Sequence, residues 1–133
     1  MLAAAALLLG RVTYEGFAAA WPSRTDEVGF AEKTNTMPKY VLSNTLKRAA
    51  WSNSTLLAGE VPDAARQLKS RLDGEILVNG SGRLARALIG HDLIDEYRLM
   101  VFPVLLGAGK RCSPTAAPSG RCECWTANPQ ASA

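Results

Sequence analysis

The stretch AALLLGRVTYEGFAAAWP, residues 5–22, decides how the rest of the chain is read. Its first part, AALLL (5–9), is an unbroken apolar run closed by Gly10. Such a run suits a strand buried on both faces, as in a parallel sheet. A helix is expected from Thr13, whose hydroxyl can cap it. Tyr14, Phe17, Ala18 and Trp21 recur at i, i+3, i+4 and i+7, and Pro22 ends the pattern. Strand, glycine turn and helix together form the repeating unit of α/β domains.

The same alternation continues downstream. Residues 23–38 are polar and irregular, with a short helix expected near Glu27–Lys33. KYVLS (39–43) reads as a second strand from its aromatic and β-branched content. Residues 44–54 show no helical period and read as a loop, leading into a third strand, STLLA (54–58). Pro62 opens a helix at its favoured first position, Val61, Ala64, Ala65, Leu68 and Leu72 make its apolar stripe, and Gly74 stops it. EILVN (75–79) is a fourth strand. It runs through Gly80-Ser81-Gly82 into a helix with Leu84, Ala87 and Leu88 inward, ended by Gly90. IDEYRLMVF (94–102) alternates, with Tyr97, Leu99 and Val101 on one face. The expected fold is a three-layer α/β sandwich around a mostly parallel sheet.

Composition excludes several classes. With 47% hydrophobic residues and a net charge of +3, the chain can build a core and is not disordered for most of its length. Fifteen basic and twelve acidic residues are scattered without a basic face, which argues against nucleic acid. LAAAALLL (2–9) is far short of the ~20 residues that cross a bilayer. No positive charge precedes it and no clean cleavage site follows, so a strand is a better reading than a signal peptide. Cys112, Cys122 and Cys124 all fall near the end of the chain. Their odd count points to a reducing, cytoplasmic compartment. They do not have zinc spacing, and the single histidine, His91, lies elsewhere, so no metal is expected. From residue 112 onward Leu, Ile, Val, Phe and Met are absent. The chain divides into a domain over 1–111 and a tail over 112–133 that reads as disordered.

Two places share one physical device, a strand followed by glycine and a helix start: LLLGRVTYEGF and ILVNGSGRLARAL. Glycine permits a sharp turn and close approach by a ligand. The helix start then offers unpaired N–H groups and the positive end of a dipole, which suits phosphate. Either turn alone is ordinary connection chemistry. Neither is a Walker loop, and Ala85 stands where a GxGxxG pattern needs its last glycine. A third element, Ser43-Asn44-Thr45, ends the second strand beside Lys47 and Arg48. Small polar groups at a strand's carboxyl end can hold a ribose or its phosphate, or simply form a polar turn.

In this order and spacing, LLLGRVTYEGFAAAWP, MPKYVLSNTL and ILVNGSGRLARALIGHDLIDEYRLMVFPVLLGAGKR resemble the dihydrofolate reductase superfamily. The closer likeness is to the branch of the reductase domain of the bifunctional riboflavin-biosynthesis enzyme and its free-standing bacterial relatives. The resemblance covers residues 2–111. It implies NADPH as cofactor and hydride transfer to a pterin-like or pyrimidine-ribose substrate. Residue by residue, it assigns Gly10, Arg11 and Thr13 to the pyrophosphate and adenosine phosphate. It assigns Ser43, Asn44 and Thr45 to the 2′-phosphate ribose, and Gly80, Ser81, Gly82, Arg83 and Leu84 to the other side of the pyrophosphate. It assigns no catalytic residue.

By the same resemblance, a strand and helix before residue 2 and further strands after residue 111 are missing. The sheet is therefore expected to be incomplete at both ends, with little or no hydride transfer from the chain as it stands. The alternative is a non-catalytic nucleotide-binding module that needs a partner. The expected partners are a small-molecule substrate and a second copy of the chain in a homodimer, with no membrane. His91, Glu15, Asp95 and Glu96 form no readable acid–base pair, and Trp21 and Phe102 read as core.

Overall fold

Strand β1 (Ala6–Gly10) is buried from Ala6 to Leu9, as its apolar run requires. The computed structural model describes residues 3–100, 102–103 and 108, and the backbone of Arg121–Trp125. Within it, β1 is followed by α1 (Arg11–Ala20), α2 (Phe30–Thr36), β2 (Lys39–Leu42), β3 (Ser54–Leu57), α3 (Val61–Arg71), β4 (Ile76–Leu77), α4 (Gly82–Gly90), β5 (Glu96–Met100) and β6 (Arg121–Trp125). The first four strands form one sheet in the order β3-β2-β1-β4, every pair parallel.

The chain moves from β1 to β2 and β3 in one direction, then returns past β1 to β4. Right-handed crossovers require that two moves in opposite directions place their helices on opposite faces. They do. Leu7, Leu9 and Val41 meet Tyr14, Phe17, Ala18 and Trp21 of the α1 side. Leu8 and Leu42 meet Ala65 and Leu68 of α3 and Leu84 and Leu88 of α4. The expected three layers and mostly parallel sheet are therefore present, and the predicted stripes of α1, α3 and α4 face the sheet. Each fully buried leucine in these layers contributes about 1.5–3 kcal/mol.

The β2–β3 connection is a parallel crossover without a helix, as its missing period implied. Leu46, Ala49 and Trp51 from this loop cover the sheet where a helix would otherwise lie. Lys39, at the start of β2, is wholly buried. Its Nζ donates to the carbonyls of Asn35 (2.8 Å), Met37 (2.9 Å) and Ser52 (3.0 Å) and sits 4.3 Å from the Trp51 ring centre. Burial pulls its pKa down to about 8. The ammonium thus ties α2, β2 and the crossover loop together.

Several boundaries moved, each for a visible reason. Helix α1 begins at Arg11 with Gly10 as its cap residue, and Thr13 lies inside it. Helix α2 begins at Phe30, later than expected, because the Asp26 carboxylate accepts from the N–H groups of Val28, Phe30 and Ala31. The hydrogen bonds from Phe30 and Ala31 hold that carboxyl below its usual range. Strand β4 pairs with β1 only through Ile76 and Leu77, so it is shorter than 75–79.

Strand β5 does not join the main sheet. It pairs in parallel with β6 in a separate two-stranded sheet. Arg121–Trp125 is therefore a strand where an unstructured tail was expected, and it carries Cys122 and Cys124. Pairing along the backbone requires no apolar side chain, which is why composition did not reveal it. The rest of 112–133, with Cys112, lies outside the described residues, as does Val101. Leu99, Met100 and Phe102 are exposed, so Phe102 is not core. Among the described residues no helix is long and apolar enough to cross a membrane, and no three His, Cys, Asp or Glu residues gather as metal ligands.

Candidate functional site

The strand order reverses between β1 and β4, and the carboxyl ends of these neighbours open beside each other. Ligands of open α/β sheets bind in such a crevice. Both glycine turns lie there. The N–H of Gly10, at the end of β1, donates to Ser81 Oγ at 3.0 Å. The N–H of Ser81 donates to Thr13 Oγ1 at 3.1 Å. Residues 68 and 71 positions apart are joined by a reciprocal pair of hydrogen bonds. Thr13 therefore does not cap its own helix. A Cβ on Gly10 would lie in ordinary van der Waals contact with Ser81 Oγ at 3.5 Å, so the two turns pack directly against each other.

Gly80 (φ 64°) and Ser81 (φ 53°) both have left-handed backbone, which turns the chain sharply from β4 into α4. The N–H groups of Gly82, Arg83 and Leu84 then open α4, and those of Arg11, Val12 and Thr13 open α1; such first-turn groups have no acceptor within their own helix. A Cβ on Gly82 would meet nothing within 4 Å, so its backbone faces open space. The Leu84 side chain is buried in the core, leaving only its backbone for the site.

The third element is brought to the same edge by the ladder, since Gly10 pairs with Leu42 and Ser43 follows. Its hydroxyls are engaged locally. Ser43 Oγ accepts from the N–H groups of Thr45 (3.2 Å) and Leu46 (3.0 Å), and Asn44 Oδ1 accepts from Gly59 N–H at 3.1 Å. These bonds hold the ends of β2 and β3 in a fixed turn. Lys47 and Arg48 beside it are exposed.

Arg11 does not reach across the crevice. Its guanidinium lies along α1 against Glu15 at 3.1 Å, both half-exposed. The i, i+4 spacing of Arg11 and Glu15 is the sequence signal for this pair. Val12, 72% exposed at the first turn of α1, places an apolar side chain at the site that no periodicity had marked.

A cleft of about 860 Å³ runs from Gly80, Asn79 and Val78 along the edge of β4 to Ile94 and Tyr97 near β5. Its carboxylates are ion-paired: Glu75 and Glu96 with Arg98, and Asp95 with Lys69. A second cleft of about 750 Å³ lies on the α1 face of the sheet, between Tyr14, Asn35, Arg48 and Trp51.

The residues present suit an anionic dinucleotide. Two helix starts converge, glycine leaves the backbone approachable, and cationic Arg11 and Arg83 stand at the two first turns. The fold and these turns define a three-layer α/β domain with a candidate anion site where its strand order reverses. The family model of the RibD C-terminal domain matches residues 1–127. The chain belongs to that family. Among solved structures, the chain is similar to a protein from Shewanella sp. PV-4 assigned to riboflavin biosynthesis, with 22% identity and a TM-score of 0.59. The likeness covers 87% of this chain and 62% of that one, so this chain spans under two-thirds of the solved protein's length. No curated protein matches the sequence.

Proposed function

We propose that this domain binds NADPH and serves hydride transfer to a pterin-like or pyrimidine-ribose small molecule, in the manner of a riboflavin-pathway reductase. The observation that carries this reading is the meeting of the Gly10 and Gly80–Gly82 turns where the strand order reverses. When bound, the nicotinamide supplies the hydride, and the protein contributes binding and orientation. The N–H groups of Arg11–Thr13 and Gly82–Leu84 hold the pyrophosphate. Arg11, with Ser43, Asn44 and Thr45 beside Lys47 and Arg48, selects the 2′-phosphate. The cleft beside Gly80 takes the acceptor and excludes water from it. The protein works in the cytoplasm as a homodimer, with no nucleic acid, membrane or metal partner.

The test is a titration followed by nicotinamide fluorescence. NADPH binding more tightly than NADH is the expected result, and equal affinities overturn it. One observation favours a second reading, a nucleotide-binding module without turnover. The carboxylates facing the cleft, Glu75, Asp95 and Glu96, each lie against Arg98 or Lys69 and are not paired with one another as an acid and a base. NADPH binding without oxidation in the presence of pterin and pyrimidine-ribose substrates would select it.

A further inference from the structure

Ser81 stands in a backbone conformation that disfavours every residue with a Cβ, at φ 53° and ψ 50°. Glycine would adopt it without strain. Two hydrogen bonds offset that strain, one accepted by the Ser81 hydroxyl from Gly10 N–H and one donated by the Ser81 N–H to Thr13 Oγ1. Neither α1 nor α4 carries a side-chain cap at its own start. The two hydroxyls suited to capping instead link the helices to each other. The bond accepted by Ser81 is part-buried, where water competes poorly.

We propose that Ser81 is a positioning residue, whose hydroxyl ties the first turn of α1 to the first turn of α4 and sets the spacing at which their N–H groups converge on one pyrophosphate. This rests on the cofactor reading above and extends it to how the binding geometry is held. The hydroxyl acts through Gly10 and does not itself touch the ligand. Removing it leaves every anion-binding N–H in place but lets the two helix starts drift apart, and two donors that no longer point to one centre bind it less well.

Ser81→Gly separates this role from simple turn-making, because glycine relaxes the backbone while deleting the hydroxyl. Binding of NADPH and of inorganic pyrophosphate is measured by calorimetry, with melting temperature and Gly10 amide exchange alongside. Ser81→Gly is expected to melt no lower than the wild type, to exchange the Gly10 amide faster, and to bind both ligands about tenfold more weakly, roughly the effect of one lost hydrogen bond. Ser81→Ala, which keeps the strain, is expected to show the same weakening with a lower melting temperature. Wild-type affinity in Ser81→Gly overturns the proposal, as does unchanged exchange at Gly10. A wild-type protein that takes up pyrophosphate but not NADPH removes the cofactor reading alone, and the pyrophosphate comparison then decides the role of Ser81. A wild-type protein that takes up neither overturns both.

Discussion

The Ser81 hydroxyl accepts a hydrogen bond from the backbone N–H of Gly10 at 3.0 Å, across 71 residues of chain. The bond that returns, from Ser81 N–H to Thr13 Oγ1 at 3.1 Å, makes Thr13 the second anchor of the site. Thr13→Val keeps the shape of the side chain and removes the acceptor. It should destabilise the domain by about 1–2 kcal/mol, because a half-buried N–H loses its partner. Chemical denaturation would measure this, and wild-type stability in Thr13→Val would show that the bond does not hold the turns.

If Arg11 selects the 2′-phosphate, Glu15 and the cofactor compete for its guanidinium. Arg11→Ala should weaken NADPH more than NADH, by about 1–2 kcal/mol for one lost charge-assisted contact. Glu15→Gln should do the reverse, since it releases the guanidinium from its 3.1 Å ion pair. Paired titrations with both nucleotides would test this. A change of equal size for NADPH and NADH would place Arg11 away from the 2′-phosphate.

Lys39 makes stability depend on pH in the alkaline range. Its folded pKa is about 8 against an ordinary 10.5. Between those values the unfolded chain binds more protons than the folded one, so stability should rise with pH across that window. It should be greatest above 10.5 and lost as pH falls through 8. Lys39→Met should abolish this slope, and melting curves between pH 7 and 11 would record it. A wild-type slope in the variant would assign the effect to other groups.

Asp26 should determine where α2 begins. Asp26→Ala removes the acceptor of the Val28, Phe30 and Ala31 N–H groups, and the first turn of α2 should fray. Amide exchange at Phe30 and Ala31 should speed up, and the melting temperature should fall. In the wild type, stability from this carboxylate should be lost as pH falls below 3.8, because its folded pKa lies under that ordinary value. Unchanged exchange at Ala31 in Asp26→Ala would contradict the assignment.

Leu99, Met100 and Phe102, at and just beyond the end of β5, are exposed apolar residues. Exposed apolar surface of this kind favours a second copy of the chain. Light scattering should report a dimer, and Met100→Glu should shift it toward monomer while far-ultraviolet circular dichroism stays unchanged. A monomer at high concentration in the wild type would remove the homodimer.

Legibility in the sequence followed the range of the forces. The strand at AALLL, the stripe of Tyr14, Phe17, Ala18 and Trp21, and the stripe of α3 were readable because burial repeats with the local period of the backbone. Both glycine turns were also readable, since glycine between an apolar run and a helix marks a turn wherever it occurs. The pairing of Arg121–Trp125 was not, because a backbone ladder depends on a partner strand more than on side-chain type. Nor was the burial of Lys39, since nothing near it in sequence announces three carbonyls and a tryptophan ring.

By itself the sequence determined the alternation of strands and helices, the faces those helices bury, and the residues of the three polar turns. Only the tertiary structure decided that two of those turns meet. The return of the chain past β1 to β4 places Gly10 against Ser81, and hydrogen bonds of about 3 Å form only when folding has closed that distance. The same folding turned Thr13 from a cap of its own helix into a link to another. Local periodicity is fixed by neighbours three and four residues away. The chemistry of this site is fixed by neighbours some seventy residues away, and their meeting depends on how all the layers pack.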